Sequence, residues 1–570
     1  MKNKTTKSSN ASKMIKQLRK LSTTSRFSYP PYGGAHDSKN FKITHTVSEF
    51  RNQYNSILKP GDQKTDSKEI SIAGRVISKR EASKKLYFID MENNGTRVQI
   101  MSNEKHFIES IPSLSSTPTT STIDHSNSFS SSGSFNTFRS SHRELQRGDI
   151  IGITGFPAKS KIGELSLVPT AMHWLAPCLH DLPAPGDPPP TDPNTRFRKR
   201  AADLISNTTA RNVLKSRFAI ISLLRQYLES KDFIEAETPI LNINAGGAVA
   251  RPFTTSSIAL GSTAPPLNLR IAPELYLKQL VIGGFDRVFE IGKVFRNEGI
   301  DSTHNPEFTT CEFYQTYSDY TDLMTMTEEM LSTIEINLQK QGIGKNQDKN
   351  KNKDKNKDKD KDKDKDNTNS LLFQNIPYKR ISVYDELEKR LKCKLPNPAE
   401  LENEHSISIL IDICETNDIP LQINSDLSVP KILDTMIGHL IEPLCIEPTF
   451  LCDHPIIMSP LAKNHRTKPG LTERFELFIN GSELCNAYSE LNDPTEQRKR
   501  FQQQATLAQM HPGDVEIPKK DEEFCHALEY GLPPTAGWGI GIDRLVMLLT
   551  NTKHIREVLP FVLVKPNEDA

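Results

Sequence analysis

The rhythm of apolar and polar positions changes along the chain, and each change marks a kind of element. From Ile70 apolar residues come in short alternating runs: Ile72, Gly74 and Val76, then Leu86, Phe88 and Asp90, then Val98 and Ile100. Later runs, Ile150 to Gly155 and Leu165 to Val168, repeat the pattern. Period-two runs with turn residues between them predict a small β-barrel. A Ser/Thr-rich stretch with few aliphatics, Ser113 to Ser141, interrupts the barrel and reads as a disordered loop insertion. A Pro-rich connector, Pro183 to Pro193, follows, as linkers between modules do. Beyond it Leu214, Phe218, Ile221 and Leu224 recur at helical spacing and predict a helix over Val213 to Leu228. Phe233 to Ile240 reads as a strand. From Lys345 to Asp366 Lys alternates with Asp or Asn, and such a run reads as a solvated loop tip. Barrel first, mixed helices and strands afterwards, the chain is expected to be α+β.

Two predicted hairpins and one glycine-rich strand carry the candidate chemistry. Val288 to Arg296 reads as a strand, Asn297 to Glu307 as a loop and Phe308 to Tyr314 as the returning strand. Alternation puts Glu312 and Tyr314 on one face, with Cys311 and Phe313 behind. Arg296 and Glu298 stand at the loop entrance, and His304, Asn305 and Phe308 at its exit. The second hairpin runs from Glu473 to Ile479 and turns at Asn480-Gly481. Its returning strand carries Asn486, Tyr488 and Glu490 on one face; Glu483 is out of phase and would need a bulge to join them. Gly537, Gly539 and Gly541 then lead through Ile542, Asp543 and Arg544 into the apolar stripe Leu545, Val546, Leu548 and Leu549. Glycines on a strand let a ligand approach the backbone, and a helix start favours anions. Alone this glycine run is a weak signal, and the chain contains no GxxxxGK[ST] phosphate loop. The alternative is a set of edge-strand charges on a solvated face.

Composition narrows the classes. With 570 residues the chain can hold two or three domains, and a net charge of +1 makes any nucleic-acid contact local. No apolar run approaches the roughly 18 residues of a membrane span. The eight cysteines form no CxxC pair or Cys/His cluster, so they read as free thiols. Before Asp37 no acidic residue occurs, while Lys13, Lys16, Arg19 and Lys20 flank Met14, Ile15, Leu18 and Leu21. Basic, Ser-rich and weakly amphipathic, residues 1–36 read as a mitochondrial transit segment, the alternative being a basic tail that holds RNA in a cytoplasmic protein.

Together these segments resemble the class II aminoacyl-tRNA synthetases, and within them the lysyl-tRNA synthetases. The second motif of the family is similar to Phe295-Arg296-Asn297-Glu298 through Phe313, and the third to Gly539 through Arg544. The first, a helix and strand ending in proline, is similar to Ser216 to Pro239. Gly246-Gly247-Ala248, Arg270 to Leu275 and Asn486 to Asp493 resemble the lysine subgroup. The resemblance covers most of residues 70–566. It implies an OB-fold anticodon-binding domain over 37–182, a linker over 183–195 and a catalytic domain over 196–570 built on an antiparallel sheet flanked by helices.

The activity implied is ligation of L-lysine to tRNA(Lys) through a lysyl-adenylate, by a homodimer with no membrane attachment. Arg296 and Arg544 would be catalytic, meeting phosphate charge. ATP would be held by Arg296, Asn297, Glu298, His304, Asn305, Phe308, Glu483, Leu484, Gly541, Ile542, Asp543 and Arg544. Glu476 and Glu483 would ligate Mg2+, which suits carboxylates and phosphates. Lysine would be held by Gly247, Glu274, Glu312, Tyr314, Asn486, Tyr488 and Glu490, and the anticodon by Phe88, Gln99 and Glu164. The rival readings are an aspartyl- or asparaginyl-type synthetase, which would not want Glu490 against its substrate's side chain, and a non-catalytic RNA-binding relative.

Overall fold

Alternating side chains in the N-terminal part turn one set inward around a closed barrel. The computed structural model describes residues 41–65, 68–107, 137–183, 192–244, 246–248, 250–261, 265–343, 371–401, 403–421, 427–510 and 521–564. The basic segment 1–36, most of the Ser/Thr-rich stretch and the Lys/Asp run lie outside them. Strands β1 Ile70–Ser83, β2 Leu86–Asn93, β3 Thr96–Asn103, β4 Ile150–Lys159 and β5 Leu165–Ala176 close in the order β1-β2-β3-β5-β4. Ile72, Val76, Ile89, Met91, Ile100, Ile151 and Ile153 fill the interior. Helix α1, Val47–Tyr54, adds Val47 and Phe50 to that core, and a Thr46–Glu49 capping box fixes its start.

The Ser/Thr-rich stretch does not stay a loop to its end. Helix α2, Thr137–Glu144, covers the last residues of it. Phe138 and His142, one turn apart, are buried against Tyr87, and His142 is bonded to Phe138 O (2.7 Å) and Ser102 Oγ (2.8 Å). Burial of that aromatic pair folds residues whose composition alone argued against structure.

The chain divides by contacts into Met1–Thr208 and Thr209–Ala570. The second unit is built on helices α3 Thr208–Ser230, α4 Glu274–Ile282, α5 Tyr320–Lys340, α6 Glu522–Glu529 and α7 Ile542–Thr550. Its strands are β6 Ile234–Glu235, β7 Leu241–Asn242, β8 Thr254–Thr255, β9 Leu267–Leu269, β10 Arg287–Phe295, β11 Glu307–Thr316, β12 Lys379–Ser382, β13 Thr449–Cys452, β14 Arg474–Ile479, β15 Ser482–Ser489 and β16 Thr535–Gly541. Eight of these form one sheet in the order β12-β13-β14-β15-β16-β11-β10-β6. The sheet is antiparallel through its centre, with a parallel pair at each edge, β12 with β13 and β10 with β6. One face buries Phe289, Cys311, Phe313, Phe475, Leu477, Cys485, Trp538 and Ile540 against α3, α5 and α7. Helices Val383–Leu391, Glu404–Thr416 and Val429–Leu440 build a second core at the β12 end.

Two predicted elements differ from those found. In α3 Leu214 and Leu224 are buried as expected, but Phe218 is 55% exposed. Arg217 turns inward in its place, because its guanidinium pairs with the buried Asp543 carboxylate and donates to Thr309 Oγ1 at 2.9 Å. The strand expected over Phe233 to Ile240 pairs only at Ile234 and Glu235. It leaves the sheet because Thr238 gives its N–H and hydroxyl to the Glu290 carboxylate (3.1 and 2.7 Å), and Pro239 has no N–H to give.

Candidate active site

The other face of the sheet is where the hairpins converge. Residues directly opposite on antiparallel strands share a face. Glu476 on β14 stands opposite Asn486 on β15, Asn486 opposite Gly539 on β16, and Gly539 opposite Glu312 on β11. The next row in the same sense is Arg474, Tyr488, Gly537 and Tyr314. The glycines of β16 thus form a bare floor between side chains standing on the strands to either side. Above it lies a cavity of about 470 Å³.

Glu483 reaches this cavity through the bulge its phase required. Leu477 faces Cys485 but Phe478 faces Glu483, so Leu484 is the extra residue and Glu483 regains the parity of Asn486. The turn before it holds Asn480 at φ 52° and Gly481 at φ 68°, the left-handed pair of a two-residue hairpin.

Of the residues expected on ATP, Arg296, Glu298, His304, Asn305, Phe308, Glu483, Leu484, Gly541, Asp543 and Arg544 line the cavity. Arg296 lies over the Phe308 ring, 5.2 Å from its centroid, and its buried Nε has no partner among the described residues. Buried Asn305 Oδ1 is likewise unpartnered. Orphaned buried polar atoms are rare in folded proteins, so two of them on one wall mark a place where a ligand completes the bonding. Arg544 donates to Glu483 O at 2.8 Å, and its Nη2 lies 3.2 Å from His304 Nε2. Asp301 holds the other side of that imidazole at 2.8 Å from Nδ1. Asp543 is committed inward to Arg217 and to the Thr309 N–H (2.8 Å), which orients the start of α7 and with it Arg544. Asn297 and Ile542 do not line the cavity: Asn297 is exposed with its N–H on Arg251 O, and Ile542 is fully buried in the core.

Gly247, Glu274, Glu312, Tyr314, Asn486 and Tyr488 line the same cavity. Tyr488 Oη donates to Glu274 Oε1 at 2.8 Å, and Tyr314 Oη to Glu312 Oε2 at 3.2 Å. Burial and the Glu274 carboxylate push the Glu312 carboxyl up to about 8. Glu490 does not line the cavity. It is buried next to Gly537, which does, and a Cβ on Gly537 would stand 2.0 Å from Glu490 Oε1. A bare floor is therefore a steric requirement here.

Glu476 and Glu483 both line the cavity. Arg474 Nη2 is 2.5 Å from Glu476 Oε1, and His454 Nε2 is 3.2 Å from Oε2. Burial alone would raise the Glu476 carboxyl, but Arg474 and His454 prevail and hold it at about 2. Glu483 goes the other way, pushed up by its surroundings and by the Glu476 charge, an effect softened by the 41% of its side chain open to solvent. Such a carboxylate pair suits a hard divalent cation. Among the described residues no group of three or more His, Cys, Asp or Glu is arranged to hold a metal. A cation here would draw its remaining ligands from phosphate oxygens and water.

The three barrel residues share a region of its outer surface. Phe88 is half-buried outside the core, with the Arg80 guanidinium 5.0 Å from its ring centroid. Gln99, opposite Asp90, accepts from Ser166 Oγ at 3.0 Å, and Ser166 also bonds Glu164 O at 3.2 Å.

Several residues escape a reading by motif. Arg474 and His454 hold Glu476, Arg217 holds Asp543, and Lys278 lies between Glu274 and Glu490. Lys278 left a trace: it is a lone cation in the apolar run Leu275 to Ile282, four residues after Glu274. His454 left none, since it comes from a loop distant in sequence.

A family model, tRNA synthetases class II (D, K and N), matches residues 192–565. The chain belongs to this family of class II aminoacyl-tRNA synthetases. Within it, the chain is similar to proteins named for lysine. It is 41% identical over 535 residues to lysine--tRNA ligase cla4 of Cladosporium cladosporioides, covering 93% of this chain and 81% of the relative. It is 42% identical over 526 residues to the probable cytoplasmic lysine--tRNA ligase of Encephalitozoon cuniculi (strain GB-M1), 92% of each. To the lysine--tRNA ligase of Porphyromonas gingivalis (strain ATCC BAA-308 / W83) it is 35% identical over 570 residues, 98% of this chain and 85% of the relative. All eight cysteines are free, and no described helix is long and apolar enough to cross a membrane.

Proposed function

We propose that this chain activates L-lysine with ATP and transfers it to tRNA(Lys). The observation that carries the reading is the division of one cavity into a cationic wall (Arg296, Arg544) and an acidic one (Glu274, Glu312, with Glu490 behind). Lysine brings two ammonium groups and one carboxylate, so an acidic wall suits it and would repel aspartate. In the first step the substrate carboxylate, already ionised, attacks the α-phosphorus and pyrophosphate leaves, giving a lysyl-adenylate. No protein nucleophile is needed, and catalysis rests on positioning and on meeting charge at phosphorus. Arg296 meets that charge and stacks with Phe308 about the base, while Arg544 holds the outer phosphates. In the second step a ribose hydroxyl at the tRNA 3′ end takes the acyl group and AMP leaves. Mg2+ bound by Glu476 and Glu483 with ATP would neutralise phosphate charge.

ATP–pyrophosphate exchange with lysine, aspartate and asparagine tests the reading. Exchange with lysine alone followed by charging of tRNA(Lys) is expected; exchange with aspartate or asparagine overturns it, and no exchange with any points to the non-catalytic alternative. The barrel face is proposed to read the anticodon through Phe88, Gln99 and Glu164, a base stacking on the Phe88 ring. Phe88→Ala should raise the KM for tRNA about tenfold; a lowered melting temperature with no change in that KM would assign the ring to packing alone.

A homodimer is proposed from the exposed apolar residues at the α3 to β9 side of the catalytic unit, among them Phe218, Ile234, Ile240, Leu241 and Ile243. Sedimentation should give twice the chain mass. Mitochondrial location is proposed from the composition of residues 1–36. The Encephalitozoon cuniculi relative is named cytoplasmic, which supports the second compartment. A fluorescent fusion with and without residues 1–36 decides between them.

A further inference from the structure

Behind the amino-acid side of the cavity stands a lysine of the chain's own. Lys278, on the second turn of α4, is fully buried. Its Nζ donates to Glu274 Oε1 at 2.6 Å and is in contact with Glu490 Oε2. Its ammonium lies 5.7 Å from the centroid of the Tyr488 ring and 5.6 Å from that of Phe524 on α6. Burying an ammonium is costly unless carboxylates surround it, and here two share it. One oxygen of Glu490 is taken in this way. The other, Oε1, lies against Gly537 with no hydrogen-bond partner among the described residues.

We propose that Lys278 is a specificity-determining positioning residue: it holds Glu274 and Glu490 by one oxygen each and leaves Glu490 Oε1 as the seat for a substrate ammonium. The inference rests on the lysine reading above and deepens it. The groups facing Glu490 are Lys278 and Glu274 from α4, Glu312 and Tyr314 from β11, and Tyr488 from β15. Around Glu490 three carboxylates, its own with Glu274 and Glu312, face the single Lys278 ammonium. The deficit is matched by a ligand with two ammonium groups and not by one with a single ammonium and an acidic side chain. Without Lys278, Glu274 and Glu490 would repel each other, and protons would take its place.

The test is lysine-dependent ATP–pyrophosphate exchange by the full chain and its variants across pH. Lys278→Met should raise the KM for lysine about thirtyfold or more and leave the KM for ATP within about threefold, since a 2–3 kcal/mol loss confined to one ligand is expected. The acid limb of kcat/KM for lysine should move upward by about one pH unit. A merely structural role would raise both KM values together or lower the melting temperature alone, and either result overturns the proposal. Should Lys278→Met fail to fold, the double variant with Glu490→Gln removes both members of the pair. Its KM for lysine should stay within about threefold of that of Glu490→Gln alone, the remainder acting through Glu274; a further rise of about thirtyfold overturns the proposal. Wild-type chain that activates no lysine sinks the functional reading instead, which keeps the two failures apart.

Discussion

The two halves of the cavity solve opposite problems with opposite degrees of enclosure. On the nucleotide half the polar side chains stand partly in the open: His304 is exposed, and Arg544 and Glu483 beneath it keep 28% and 41% of their side chains in solvent. Arg544 is held by a backbone carbonyl, not by a fully buried counter-ion. On the amino-acid half Glu274, Lys278 and Glu490 are buried in contact with one another, and half-buried Glu312 accepts from the buried Tyr314 hydroxyl. ATP brings its own strong charges and needs donors that can follow it. A single amino acid must be told from others by a few ammonium and carboxylate contacts, and these discriminate only where water is excluded.

Breaking the open half should cost rate. Arg296→Ala removes the guanidinium nearest the proposed site of charge development, and exchange at saturating lysine should fall on the order of a hundredfold to a thousandfold. Breaking the closed half should cost recognition: Glu490→Gln should raise the KM for lysine about a hundredfold with the KM for ATP nearly unmoved, as expected when a buried ammonium loses its carboxylate. Equal effects on both substrates would erase the distinction between the halves. Gly537→Ala should cost less, about tenfold in the KM for lysine, because a Cβ 2.0 Å from Glu490 Oε1 must push that carboxylate aside.

Acidity gives the smallest effect. Burial and the Glu274 carboxylate push Glu312 up to about 8, and burial pushes the Glu490 carboxyl up as well, against the pull of Lys278. Lysine needs these groups ionised, so its KM should fall severalfold from about pH 6 to about 8. For the unliganded fold the sign is the reverse. A carboxyl raised in the folded state adds stability that is full below its unfolded value near 4.5 and is lost as pH rises through about 8. The gain in melting temperature on adding lysine should therefore grow over the same interval. A gain that shrinks would mean that the acidic half is ionised and paired before substrate arrives.

Strand parity in the sequence was enough to pair Glu312 with Tyr314 on one strand and Asn486 with Tyr488 on another, and to require a bulge at Glu483 that the structure supplies at Leu484. Both are local rules. What parity could not reach was pairing across the chain: Arg217 with Asp543 lies 326 residues away in sequence, and that contact is why α3 turns Phe218 outward. Parity also put Glu490 in line with Asn486 and Tyr488, whereas it lies just past the end of β15 and outside the cavity lining. Composition failed for Thr137–Glu144, where two buried aromatic rings outweigh a polar neighbourhood.

The bare floor of β16 also bears on how such a pocket could be re-lettered. Gly537 and Gly539 each face two strands, so the residues that recognise a substrate stand in two separate columns with an empty one between them. A change in either column meets the ligand across the gap before it meets the opposite column, so each can vary without repacking the other. Selectivity can then drift one column at a time, while Gly537 in the central strand, where a Cβ would collide with Glu490, stays blank.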